Sequence, residues 1–206
     1  MQKQDCRHYL TSWVTPALVL ILGLTSSLRS DTKQPTAGGL TIDTKKSVVT
    51  VRADTGGVFG AFGHEHEIVA PVASGHVDIG ARQVELRVDA RALRVRDSKI
   101  SDKDRDEIQE TMLGPKVLDS GSYPEISFRS TAAELRGPGG WMVRGNLSLH
   151  GQTRSVAVEV RERDGHYVGK SRLKQTDFGI KPVQIAGGTV RVKDEIRVEF
   201  DIQLAR

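Results

Sequence analysis

The segment Ile196-Arg197-Val198-Glu199-Phe200-Asp201-Ile202-Gln203-Leu204 decides how the chain is read. Every second residue is apolar and every residue between is charged or amidated. Side chains alternate faces along a strand, so this segment is a strand with one greasy face and one wetted face. The same period recurs upstream. Val84-Leu86-Val88 alternates with Glu85-Arg87-Asp89, and Val156-Val158-Val160 alternates with Ala157-Glu159-Arg161. Weaker copies run through Val49-Val51, Ile126-Phe128, Val143 to Leu149 and Tyr167 to Leu173.

Turn-forming residues separate these runs: Gly137-Pro138-Gly139-Gly140, His150-Gly151, Asp164-Gly165 and Gly187-Gly188. The Asp164-Gly165 pair is a two-residue hairpin signal. The segments after residue 124 therefore read as an antiparallel meander. One stretch departs from the period. Ser101 to Met112 (SDKDRDEIQETM) is polar, begins with an N-cap residue, carries acids in its first turn, and spaces Ile108 and Met112 four apart. That pattern predicts one short helix, acting as a lid or plug over one end of the sheet.

About eight amphipathic strands with one helix cannot cover an open sheet. Closing the sheet on itself buries the apolar face and removes the unpaired edges. The fold class is therefore all-β, an antiparallel up-and-down β-barrel. At about eight strands the interior is filled by side chains or holds one small ligand. Aromatic residues are 5% of the chain, and the inward positions are mostly Val, Leu and Ile, which favours free space. The inward residues expected to line it are Val49, Val51, Phe62, Leu86, Val88, Phe128, Leu147, Val158, Phe178, Ile180, Val198 and Phe200. An outer-membrane barrel would turn the apolar face outward. It would then crowd Arg87, Glu159, Arg197, Glu199 and Asp201 into a narrow lumen, and the aromatic girdles of such barrels are missing.

The N-terminal 29 residues read as a secretory signal peptide. Lys3 and Arg7 precede the apolar run Trp13 to Leu24, and small polar residues follow at Thr25, Ser26 and Ser27. The run is short for a bilayer span. Residues 30–39 read as a linker and residues 40–206 as the barrel domain. The protein is expected to be periplasmic or secreted, with no stable membrane insertion after cleavage. The single cysteine, Cys6, lies ahead of the apolar run, so the exported chain has no thiol and no disulfide. The net charge of +4 falls when the signal is removed, leaving 27 basic and 25 acidic residues with interspersed signs. No clustered basic face marks a nucleic-acid partner. No G-x-S-x-G, P-loop or G-x-G-x-x-G motif is present, so no enzyme class is indicated. The sharpest polar signal is His64-Glu65-His66. Two His at i and i+2 share a strand face, so both could ligate one metal, with Glu67 or His76 completing the set. Solvated strand-end residues are the simpler reading, and no cofactor is required. A homodimer is compatible with the sequence.

Three further segments carry a family resemblance. Tyr123-Pro124-Glu125-Ile126-Ser127-Phe128 resembles a "YPxIxF" strand start. Gly145-Asn146-Leu147-Ser148-Leu149-His150-Gly151-Gln152-Thr153 resembles a "GxLxLxGxT" hairpin, and Asp177-Phe178-Gly179-Ile180 a "DFGI" element. In this order they resemble the YceI-like family of bacterial periplasmic and secreted proteins. The resemblance implies a lipocalin-like, eight-stranded antiparallel barrel with the helix ahead of the YPEISF strand. It also implies lipid binding, in which a polyisoprenoid (a quinone or prenyl phosphate) lies in an apolar tunnel, with no catalytic residues. The sequence departs from the family pattern at Phe59 to Ile68 and across Asp104 to Asp119. The leading expectation is thus an exported protein holding a hydrophobic small molecule. A metal-binding protein using His64 and His66, and a filled barrel serving as an interaction module, are the alternatives.

Overall fold

The computed structural model describes residues 39–57, 65–185 and 190–205. The expected signal peptide, nearly all of the linker, Phe62, His64 and the Gly187-Gly188 turn lie outside the described residues. Among the described residues eleven strands form in chain order: β1 (Leu40–Thr41), β2 (Val48–Gly57), β3 (Glu65–Asp78), β4 (Gln83–Asp89), β5 (Arg94–Val95), β6 (Glu125–Leu135), β7 (Gly140–Leu149), β8 (Gln152–Arg163), β9 (His166–Lys174), β10 (Gln184–Ile185) and β11 (Val190–Gln203). One helix, α1 (Asp102–Leu113), stands between β5 and β6.

Eight of the strands close a barrel. β2, β3, β4, β6, β7, β8, β9 and β11 each pair antiparallel with the next of this set, and β11 pairs back onto β2. The up-and-down barrel read from the alternation is the fold. Closure satisfies the ladder groups that an open edge would expose. Val198 opposes Val51, and Phe200 opposes Val49, so the segment that set the period sits at the seam where the last strand meets the first.

Two hairpins follow directly from their turn residues. Asp164 and Gly165 have φ of 52° and 81°, and His150 and Gly151 have 50° and 70°. Consecutive left-handed residues give the turn whose twist matches that of the flanking strands.

The alternation was hard to read where the strands carry bulges. In β3 the register shifts between Val72 and Ser74. Ile68, Ala70 and Val72 face the core before the shift, whereas Val77 packs against it afterwards. In β6 the shift lies between Ser130 and Ala132. An inserted residue flips the phase of the period, so a strict two-residue template fails across it. β3 is fourteen residues long, yet Pro71, Gly75 and this phase change hid it from the sequence reading.

The predicted helix forms one residue later than its template. Ser101 caps it, its Oγ accepting from the Asp104 N–H at 3.1 Å. β4 leaves β3 after the Val88–Val72 pair, and β5 takes over that edge at Ile68 and Val69. Gln109 of α1 locks onto this segment: its Oε1 accepts from the Val95 N–H at 2.8 Å, and its Nε2 donates to the Leu93 carbonyl at 2.9 Å. The helix is thereby tied to the end of the barrel where β4 finishes and β6 begins. Met112 is buried there, with Ile108 packed beside it.

Candidate functional site

The lumen is hollow. A cavity of about 1140 Å³ is lined by side chains from all eight barrel strands and from α1. It reaches Phe178 and Gln175 at the helix end, and Ile79, Arg82 and Trp141 at the opposite end. That volume lies at the upper edge of ordinary ligand sites, which span about 300–1,000 Å³. A filled barrel is thus not what forms.

The residues explain the space. Most inward positions carry Val, Leu or Ile, which do not reach across a barrel of this size. The two large rings in the middle of the wall are packed against glycine. Phe200 stands over Gly169, and Phe128 stands over Gly145; a methyl group at either glycine would collide with the ring. Each ring fills the missing side-chain volume of the next strand.

All the apolar lining residues expected from the sequence, apart from Phe62, face this cavity. Val49 and Val51 come from β2, Leu86 and Val88 from β4, Phe128 from β6, Leu147 from β7, Val158 from β8, and Val198 and Phe200 from β11. Phe178 and Ile180 close the helix end. Phe178 is 1% exposed, and its carbonyl lies 3.1 Å from His150 Nδ1. Tyr123 packs edge-on to that imidazole. The "YPxIxF", "GxLxLxGxT" and "DFGI" segments therefore meet at one place, the floor of the cavity.

Sequence reasoning missed the contribution of β3 and of α1. Ile68 and Ala70, together with Ile108 and Met112, line the same space. The apolar Val69 and Pro71 on either side of Ala70 disguised the first pair, and the polar composition of α1 disguised the second. Tyr167 and Glu162 pair across β8 and β9, and both reach the cavity wall. Burial, then the nearby Glu162 charge, holds the Tyr167 phenol above its usual value.

The histidine motif resolves differently. His66 faces the lumen, but Glu67 points outward into an ion pair with Arg52 at 2.9 Å. His76 is ten residues further along β3, roughly 30 Å away at strand rise, opposite Thr41. The structure does not bring Glu67 or His76 to His66. Among the described residues no group of three or more His, Cys, Asp or Glu is arranged to hold a metal ion. His66 instead meets Asp97, whose side chain is 6% exposed; Nδ1 and Oδ2 are 2.6 Å apart. Asp97 was not singled out from the sequence, because it lies in an irregular stretch far from the motif.

Known proteins place the barrel. A family model for the YceI-like domain matches residues 40–204. The chain belongs to the YceI-like family. A UPF0312 protein of Vibrio cholerae is 30% identical over 133 residues, covering 59% of this chain and 64% of that protein. One from Vibrio parahaemolyticus is 33% identical over 93 residues, covering 40% and 47%. The chain thus matches less than two thirds of the length of these relatives. Among solved structures, BcnA of Burkholderia cenocepacia superposes with a TM-score of 0.57 at 19% identity, covering 80% of this chain and 99% of that one. That likeness concerns the fold alone. Among the described residues no helix is long and apolar enough to cross a membrane.

Proposed function

We propose that this YceI-like barrel is an exported carrier that sequesters a hydrophobic molecule, a polyisoprenoid such as a quinone or prenyl phosphate, in its lumen. The observation that carries this reading is the cavity of about 1140 Å³ whose wall is mostly apolar side chains. Burying a methylene contributes about 0.8 kcal/mol, and association costs roughly 4–15 kcal/mol. A tail of about ten carbons therefore only offsets the cost of binding, whereas a chain of several isoprene units exceeds it without a charged anchor. Export rests on the charge, apolar run and small polar residues of positions 1–29.

The test is mass spectrometry of lipid extracted from the protein purified from its own host. A stoichiometric isoprenoid species supports the reading. Empty protein that also ignores added quinones and prenyl phosphates overturns it. Cell fractionation checks the compartment, and light scattering separates a monomer from a homodimer.

A further inference from the structure

Among the polar side chains that reach the cavity, one is held by a buried carboxylate. His66 projects from β3 into a wall whose neighbours on the same strand face are Ile68 and Ala70. Its Nδ1 is 2.6 Å from Asp97 Oδ2, and the other oxygen of Asp97 accepts the Glu67 backbone N–H at 2.6 Å. The carboxylate is buried and held from behind. Arg105 of α1 donates through Nε to the Asp97 carbonyl at 3.0 Å, and the Arg96 N–H donates to the Glu67 carbonyl at 2.7 Å. A buried carboxylate next to an imidazole fixes its tautomer: Nδ1 carries the proton and Nε2 is left as an acceptor. His66 Nε2 has no hydrogen-bond partner among the described residues.

We propose that His66, oriented by Asp97, is the headgroup anchor of the cavity, and that it accepts a hydrogen bond from a neutral hydroxyl on an otherwise apolar ligand. This deepens the carrier reading and rests on it. The ligand class is a long-chain prenol, or the hydroxyl-bearing reduced form of a prenylated quinone. A phosphate headgroup fits less well. Asp97 stands behind the ring, and an unprotonated Nε2 offers no donor to a phosphate oxygen; the wider lining is mixed in charge, with Asp104 and Glu107 but also Lys174 and Arg191. His66 acts here as a binding residue; Asp97 is a positioning residue that works through it.

The experiment compares three probes with a C20 chain on lipid-stripped protein: geranylgeraniol, its methyl ether, which lacks the donor, and phytane, a hydrocarbon. One hydrogen bond to a fixed acceptor is expected to make the alcohol bind about tenfold tighter than the ether. His66→Leu is expected to erase that ratio, with phytane affinity reading any change in the apolar wall itself. Asp97→Asn turns the partner of Nδ1 into a donor, which moves the ring proton to Nε2. The alcohol-to-ether ratio is then expected to fall to about one because the ether, which can accept from Nε2–H, binds tighter than it does to the wild type, a gain that mere loosening of the wall would not produce. The wild-type ratio and this gain by the ether decide the matter even where His66→Leu fails to fold. An alcohol-to-ether ratio of one in the wild type, a ratio that survives His66→Leu, or a ratio that appears only with added zinc overturns the anchor. Phytane binding without alcohol preference overturns the anchor and spares the carrier. Binding of none of the three overturns both.

Discussion

Phe200 occupies the space that a side chain at Gly169 would need, and the two residues are direct partners across the β9–β11 ladder. The ring thereby packs on the barrel wall, and the arrangement depends on glycine next door. A diagonal version joins Phe128 of β6 to Gly145 of β7, where Phe128 faces Leu147 in the ladder and its ring reaches over to the glycine. Neither glycine needs an unusual backbone; what each supplies is the missing Cβ.

Gly169→Ala is therefore expected to destabilise the barrel by about 1–3 kcal/mol, the usual cost of overpacking. The methyl meets both the Phe200 ring and the Glu159 carbonyl. Urea titration reads the loss. Ligand affinity is expected to fall in the same variant, because the ring has only the lumen to move into. Unchanged stability would mean that the ring is not held there.

Filling the lumen should separate stability from binding. Val158 sits on β8 with its side chain in the cavity. Val158→Trp is expected to leave the melting temperature unchanged or raised, since new contacts form in empty space. It should also weaken binding of a C20 isoprenoid by at least tenfold. A fall of several degrees would indicate opposing walls already in contact.

The helix is expected to depend on one side chain. Gln109→Ala leaves the Val95 N–H without its acceptor, whereas the Leu93 carbonyl keeps the Arg94 guanidinium as donor. An unsatisfied buried group costs about 1–3 kcal/mol. Hydrogen exchange at Val95 and along α1 should accelerate, while amides of β7 and β8 stay protected. Uniform acceleration everywhere would show that α1 and the barrel unfold as one unit.

Alkaline pH offers a check on the interior. Burial and the Glu162 charge raise the Tyr167 phenol above its ordinary value of 10.0. The unfolded chain then releases its proton first. The corresponding stability is present below pH 10 and is lost as pH rises through the folded value. The unfolding free energy should fall more steeply above pH 10 in the native protein than in Tyr167→Phe. Parallel curves would count against a desolvated phenol.

Much of this was legible in the residues. The period in Ile196 to Leu204, the left-handed turn residues at Asp164-Gly165 and His150-Gly151, and the cap at Ser101 are local features. Local sterics and backbone hydrogen bonding determine them. The apolar positions that point inward could be named in advance, because on a strand a side chain's face follows from its place in the chain. The sequence alone thus determined the strands with a clean period, the helix, the closure and part of the cavity wall.

What it could not determine was anything that depends on which strands become neighbours. Gly169 is an unremarkable residue until Phe200 is laid beside it. The phase change in β3 makes sense only against β4. His66 was read with His64 and His76 because they are close or similar in sequence. In the folded chain its partner is Asp97, thirty-one residues away, brought there by β5 pairing with β3. Periodicity specifies the direction of a side chain, but only the register between strands specifies what it touches.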